Sequence, residues 1–443
     1  MAAPTPSTER WKLPLPPAVA SSLRRAGTSL GLPLGSLVFA LIIGAIVVFV
    51  TGGDPFRAYQ DLLCGGFGGG CPTGIFPFYQ FSTTIVKAIP LIFTGIAVAL
   101  AFKAGLFNIG AEGQLIAGAI ATTLVGARFA TLPSILLIPM VLVAGALAGA
   151  VWGGIAGVLK AVTGAHEVVT TIMLNYVAVF LVRYLIVGGP FQLKGGFSRS
   201  PAIGTNAQLP RLVPASSTFL GLPGSVYQID ISIFFAIAGI LVFWFLLKRT
   251  TLGYEITAVG QSQRAAKYAG VNVKSTIIVT MLIAGAFAGL AGAIHIAGVQ
   301  PYLSDSYITD TTGFDAITVA LLGLNSPIGV LLAALLIGGL QVGAPVMQSD
   351  LINPIDGNLV YVLQALILFA IAANFLRSLH LRLPALGKVP PTQSTVEPGV
   401  AALSASDEPR ASEEVPARQE RAATVDPPGP TEPSSTAHVI DGG

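Results

Sequence analysis

Six polar side chains lie inside or beside long apolar runs of this sequence. They are Asn108, Glu112, Gln114, Thr171, Asn175 and Asp315. Together they offer amide and hydroxyl hydrogen bonds and two carboxylates in an apolar setting, and an ionisable group in such a run is a candidate functional residue. Because Thr171 and Asn175 are four residues apart, a helix would present both on one face.

Three of these residues also have a structural interpretation. Glu112 could form an ion pair with Lys103 at the end of an apolar run. Thr171 and Asn175 could hydrogen-bond a neighbouring helix, which is how polar side chains commonly join helices in lipid.

A second chemical feature is the basic segment from Lys248 to Lys274, which carries five basic residues and one acid, Glu255. Ser262 is suited to cap a short helix over residues 263–269, and Gly270 to end it in the left-handed conformation. Long apolar runs precede and follow this segment, and a positive loop between two spans belongs on the cytoplasmic side of a membrane. We therefore expect a small exposed helix that a soluble partner can contact.

The motifs of several enzyme classes are absent from the sequence. It has no phosphate-binding G-x-x-x-x-G-K-[ST] loop, no nucleophile elbow and no Cys/His cluster with metal-ligand spacing. Its four histidines are scattered at positions 166, 295, 380 and 438. The sequence therefore predicts a protein that is not an enzyme and needs no metal or other cofactor.

Composition places the chain in a membrane. Of its 443 residues 53% are hydrophobic and 10% are charged, with a mean hydropathy of +0.75, whereas soluble domains carry about 25% charged residues. Uncharged runs of about 20 residues are what a bilayer requires. The fold class predicted is all-α, a polytopic membrane protein with about ten transmembrane helices. The ten spans are Leu34–Val50, Ile85–Phe102, Leu115–Ala127, Leu132–Leu159, Val168–Val187, Ile231–Leu247, Ile277–Ala297, Phe314–Leu324, Ile328–Val346 and Leu359–Leu376.

The third and eighth spans are short, and each follows a Gly- and polar-rich piece, residues 105–114 and 302–313. Irregular backbone at membrane depth is tolerated only where protein or water covers it, so these two places are candidates for a solute pathway. Each half of the chain holds five spans, so duplicated halves would be inverted in the membrane. On the fourth span, glycines recur every fourth residue from Gly145 to Gly157, which predicts close helix packing.

The ends of the chain differ from its middle. Residues 1–33 form a basic N-terminal segment, residues 34–376 the membrane domain with its coupling segment at 254–274, and residues 377–443 a mostly disordered tail. From Pro384 onward the tail has ten prolines, nine acids and four bases, a composition that cannot build a core. The distribution of Lys and Arg places both termini in the cytoplasm. Cys64 and Cys71 lie in a loop that we place outside, either as a disulfide or as two thiols.

Three motifs resemble one family. The motifs are FNIGAEGQ at 107–114, HEVVTTIMLNY at 166–176 and RAAKYAGVNV at 264–273. They are similar to segments of the membrane permease subunits of ATP-binding-cassette importers, in the branch that serves simple sugars, nucleosides and branched-chain amino acids. The first two motifs look most like those of nucleoside permeases. The resemblance covers about residues 34–376. A monosaccharide or branched-chain amino acid permease, and an ATP-independent secondary transporter, are the alternatives.

The resemblance implies a role for the basic helix. Arg264, Ala265, Ala266 and Gly270 are similar to the EAA-x-x-x-G coupling signature, with Arg264 where Glu often stands and without the motif's trailing part. These residues and Lys267 would contact separate ATPase subunits. A second permease subunit, the same or homologous, an extracytoplasmic solute-binding protein and the surrounding lipid are the other partners implied. No nucleic acid is expected, since the net charge of +3 reflects scattered basic residues.

Overall fold

The computed structural model describes residues 17–69, 77–195, 197–214, 216–219, 222–305, 311–350 and 352–372. Over these residues the chain forms thirteen α-helices. They are α1 (Pro17–Val50), α2 (Pro55–Phe67), α3 (Pro77–Lys103), α4 (Ala111–Arg128), α5 (Ser134–Thr163), α6 (Glu167–Ile186), α7 (Ser232–Arg249), α8 (Thr251–Gln261), α9 (Gln263–Tyr268), α10 (Val273–Ile294), α11 (Thr312–Leu322), α12 (Pro327–Ser349) and α13 (Leu359–Ala372). A π-helical turn, His295–Val299, extends α10, and two strands of two residues, β1 (Thr218–Phe219) and β2 (Leu222–Pro223), form an antiparallel hairpin.

The all-α polytopic architecture is confirmed. Seven described helices are long and apolar enough to cross a membrane, and α11 and most of α13 are shorter apolar helices. Each of the ten predicted spans overlaps one helix, although residues 373–376 of the last span lie outside the described residues. The predicted disordered tail and most of the N-terminal segment also lie outside them.

Helix α2 was not predicted. Asp54 caps it by accepting hydrogen bonds from the backbone N–H groups of Phe56 and Arg57, Pro55 occupies its first turn, and Gly68 ends it with φ +74°. The helix has only 13 residues and is amphipathic, so it lacks the long apolar run on which the span prediction relied. Cys64 lies in this helix and not in a loop, and it is disulfide-bonded. The chain's other cysteine, Cys71, is outside the described residues.

The glycine repeat on α5 packs as predicted, directly against α10. A Cβ atom added at Gly149 would collide with the backbone of Gly285 and Gly289, and one added at Gly289 would collide with Gly145. The two helices therefore touch backbone to backbone, which is how helices associate closely in lipid.

Helix directions define two ends of the bundle. Helix α3 is antiparallel to α12, because Ala88 lies by Gly338 and Gly95 by Val330. Since Gly260 of α8 packs on the backbone at Lys103, the end of α3 and the helices α8 and α9 share one end of the bundle, which we call the α9 face. The other end, the opposite face, carries the salt bridge of Arg57 with Asp350 after α12.

The packing has the pattern of two inverted halves. Helices α4 and α5 pack on α10, as α11 and α12 pack on α3, while α3 and α10 pack on each other. In the same way α6 packs on α4 and α13 packs on α11. Each of the helices α3 to α6 thus has an equivalent in the second half, as a duplication would give. The equivalent pairs are α3 and α10, α4 and α11, α5 and α12, and α6 and α13.

Candidate solute site and coupling face

The two short helices α4 and α11 meet at their N-termini. The Glu112 carboxylate, in the first turn of α4, accepts a hydrogen bond from the Gly313 backbone N–H in the first turn of α11 at 2.6 Å. Glu112 is only 2% exposed. Because both helix N-termini carry partial positive charge, they favour a carboxylate at this junction. The alternative ion pair with Lys103 is not among those formed by the described residues, which are Arg57–Asp350 and Lys160–Glu167.

The junction lies at mid-depth in the helix bundle. A Cβ atom at Gly153 would come within 3.0 Å of the Gln114 amide nitrogen, and Gly153 stands well inside the 30-residue helix α5. Gln114, two residues after Glu112, is therefore held far from either end of the bundle. Polar groups at this depth must find partners within the protein.

Asn108 and Gln114 pair with each other. The Asn108 amide donates to Gln114 Oε1 at 3.1 Å, and the Gln114 amide donates to Asn108 Oδ1 at 3.0 Å. Asn108 Oδ1 also accepts from the Gly110 N–H. This reciprocal pair closes the irregular segment of residues 104–110 onto the first turn of α4.

Asn175 fastens the same segment to α6. Its Nδ2 donates to the Ile109 carbonyl at 2.8 Å, and its Oδ1 accepts from the Gly113 N–H at 2.8 Å. Thr171, one turn earlier, donates its hydroxyl to the Glu167 carbonyl within α6 and packs against Gly110. The interhelical interpretation therefore describes Asn175 well, while Thr171 supplies a close contact surface.

Asp315 occupies the corresponding position on α11. It is the fourth residue of α11, as Gln114 is the fourth of α4. Its Oδ2 accepts hydrogen bonds from Gln341 Nε2 on α12 at 2.7 Å and from the Thr311 hydroxyl at 3.1 Å. Gln341 was not singled out from the sequence, where it is one amide within an apolar helix, and only the pairing of α12 with α11 gives it a partner.

All six predicted residues are buried, and the structure brings them to the segment before α4, the first turns of α4 and α11 and the adjoining face of α6. Two phenylalanines that sequence reasoning missed flank this region. Phe107, just before Asn108, and Phe314, just after Gly313, expose 54% and 43% of their surfaces. Exposed aromatic rings beside a buried polar cluster could only be recognised once the chain was folded.

The predicted coupling helix is present as α9. The Ser262 hydroxyl caps it by accepting from the Ala265 N–H, and Gly270 follows it with φ +85°. The helix ends at Tyr268, one residue earlier than predicted. Ala266 is buried and anchors it, whereas Arg264, Ala265, Lys267 and Gly270 are exposed and Tyr268 is 94% exposed.

A basic groove runs beside α9. This cavity of about 710 Å³ lies between the end of α5, helix α9 and the start of α10, and its basic lining residues are Lys160, Arg264, Lys267 and Lys274. Lys160 reaches it from α5, so the groove extends beyond the segment at 254–274 that the sequence indicated. The α9 face is therefore a positively charged surface suited to an acidic partner.

The coupling segment also contacts the irregular segment that holds Asn108. A Cβ atom added at Gly105, which has φ +71°, would lie 3.3 Å from Gly260 Cα in α8. The segment at 254–274 therefore touches the chain at Gly105, three residues before Asn108 of the buried polar cluster.

Short helices whose N-termini meet at a buried polar junction inside a membrane bundle are typical of transporters. The chain belongs to the family described as the branched-chain amino acid transport system permease component, which matches residues 80–372. It is therefore a multi-pass membrane permease subunit of an ATP-binding-cassette transporter, and not an enzyme. Membership of this family implies ATPase and solute-binding partners.

Three relatives agree with this assignment. The chain is 36% identical to the nucleoside ABC transporter permease protein NupB of Lactococcus lactis, over 83% of this chain and 96% of the relative. It is 37% identical to the guanosine ABC transporter permease protein NupP of Bacillus subtilis, over 77% of this chain and 93% of the relative. It is 34% identical to the glucose ABC transporter permease protein TsgB13 of Haloferax volcanii, over 78% of this chain and 88% of the relative. No solved structure matches the chain.

Proposed function

We propose that this permease imports nucleosides. The observation that carries the proposal is the similarity to NupB and NupP, at 36% and 37% identity over most of each chain. The buried cluster of amide, hydroxyl and carboxylate groups at the α4–α11 junction suits a neutral, hydroxyl-rich solute. Glucose import is the second candidate, since TsgB13 is nearly as similar.

In this proposal the α9 face is cytoplasmic and both termini lie on that side. The supporting observations are the basic residues of the groove at this face and the directions of the helices. Helices α1 and α13 are antiparallel, because Gly44 meets Leu363 and Gly53 meets Ile355. The separate ATPase subunits would bind at Arg264, Ala265, Lys267 and Gly270, with Ala266 anchoring the helix. A second permease subunit, the same or homologous, would complete the pathway, and a solute-binding protein would deliver the solute at the opposite face.

The pathway would be lined or supported by Asn108, Glu112, Gln114, Thr171, Asn175 and Asp315. The support for this role is that these buried side chains hydrogen-bond one another and backbone groups, which fixes their positions around the α4–α11 junction. Movement of α8 and α9 would reach them through the contact between Gly260 and Gly105.

The test is uptake by the complete importer reconstituted in vesicles with its ATPase subunits and its solute-binding protein. We expect ATP-dependent accumulation of labelled guanosine and uridine, inhibited by vanadate, and little accumulation of glucose or leucine. Accumulation of glucose alone would replace the nucleoside assignment with the sugar assignment. Uptake that persists without ATP and collapses with an ionophore would contradict an ATP-driven mechanism.

A further inference from the structure

A smaller cavity lies on the side of the bundle away from α9. It has a volume of about 150 Å³ and lies between α3, the π-helical end of α10, α11 and α12. Its lining includes Thr83, Lys87, Gln228, His295, Thr312 and Val342. Gln228 is an exposed residue in the segment between α6 and α7, so the cavity reaches toward the opposite face.

Lys87 gives this cavity its charge. It stands ten residues into the 27-residue helix α3, in the half farther from the α9 face, and is partly buried. Among the described residues it takes part in no salt bridge, since those formed are Arg57–Asp350 and Lys160–Glu167. A lysine within a membrane span is costly and usually marks a solute or ion pathway.

Two further observations place the cavity beside the proposed pathway. Helix α10 changes to a π-helical turn at His295–Val299, where it lines the cavity, and such turns are frequent at functional sites. Thr312 is one turn from Asp315, and Val342 follows Gln341, whose Oε1 is buried and has no hydrogen-bond partner among the described residues. The cavity therefore lies next to the helical turns that carry the Asp315–Gln341 pair, and neither of these two side chains is among its lining residues.

The side chains that line the cavity indicate which chemical class of solute it can bind. Lys87 and Gln228 provide donors, and lysine commonly donates to the O6 and N7 acceptors of guanine. At about 150 Å³ the cavity is smaller than the roughly 300–1,000 Å³ of complete ligand pockets, so it can take one part of a solute.

We propose that this cavity is a subsite for the base of a 6-oxopurine nucleoside, and that Lys87 determines specificity by donating to the O6 and N7 edge. The inference rests on the proposed nucleoside function and goes beyond it by naming the base and the residue that selects it. Adenosine has an amino group in place of O6 and gains less from Lys87.

The test compares guanosine, inosine and adenosine uptake by the complete importer. Lys87→Met removes the donor, Lys87→Arg retains one, and Lys194→Met makes the control substitution at an exposed lysine that does not line the cavity. We expect Lys87→Met to lower guanosine and inosine uptake at least fivefold relative to adenosine uptake. Lys87→Arg should restore much of the preference, and Lys194→Met should leave it unchanged.

Gln228→Leu is a second variant in case Lys87→Met is poorly inserted, because Gln228 is exposed. It should also lower guanosine and inosine uptake relative to adenosine uptake, by a smaller factor than Lys87→Met. If the unmodified importer takes up no nucleoside, the proposed function itself fails. If it imports nucleosides and these variants leave the guanosine to adenosine ratio unchanged, only the subsite is overturned.

Discussion

The double substitution Arg264→Glu and Lys267→Glu should reduce ATP-driven uptake by more than tenfold while the permease still inserts in the membrane. Both side chains are exposed on or beside the capped helix α9, and both line the basic groove at the α9 face. Reversing two charges that meet an acidic partner costs several kcal/mol at an interface, where about 1.4 kcal/mol is a factor of ten in affinity. The measurements are solute uptake and the amount of ATPase subunit that co-purifies with the permease.

Lys194→Glu is the control, since it reverses the charge of an exposed lysine outside the groove. It should leave both measurements unchanged. Because α9 is held by Ala266 and by its Ser262 cap, the double variant should keep the helix and melt at the temperature of the unmodified protein. Normal uptake by the double variant would show that the ATPase subunits do not use this surface.

Glu112→Ala should lower uptake by at least tenfold. It removes the hydrogen bond that joins α4 to α11 and leaves the Gly313 N–H buried without this acceptor, at a cost of about 1–3 kcal/mol. It also removes the carboxylate that two helix N-termini favour. The measurement is the initial rate of uptake per molecule of inserted permease, with the melting temperature recorded for each variant.

Glu112→Gln separates the two contributions of this side chain. The amide oxygen of the glutamine in this variant can still accept a hydrogen bond from the Gly313 N–H. Partial recovery of uptake relative to Glu112→Ala would show that the hydrogen bond matters. No recovery would show that the negative charge is required. Asp356→Asn, a change at an exposed acid outside the junction, should have no effect. Normal uptake by both Glu112 variants would remove the α4–α11 junction from the mechanism.

The sequence predicted the spans well because lipid imposes a simple rule on them, an apolar run of sufficient length. It also predicted α9, since a Ser cap and a left-handed glycine are local signals that need no tertiary contact. Helix α2 was missed even though Asp54 and Gly68 give it the same local signals, because its 13 residues contain no long apolar run. Its stability comes from packing, as when Gly65 and Gly66 meet Gly343 and Gly339 of α12.

The candidate site was found in part. Polar residues in apolar runs are visible in the sequence, so Glu112, Asn175 and Asp315 could be named in advance. Their partners could not, because Gly313, Ile109 and Gln341 contribute backbone groups or an ordinary amide whose role depends on how distant helices pair. The contact of Gly105 with Gly260 likewise joins residues far apart in the chain and carries no local signal.

The central claim is that α9 is a cytoplasmic surface by which separate ATPase subunits act on the membrane helices. The most direct measurement is labelling of a Tyr268→Cys variant with a maleimide that cannot cross membranes, because Tyr268 is almost fully exposed. We expect labelling in inside-out vesicles stripped of ATPase subunits, protection when those subunits are added back, and no labelling of intact cells. Labelling of intact cells, or labelling of stripped vesicles that the ATPase subunits do not reduce, would contradict the claim.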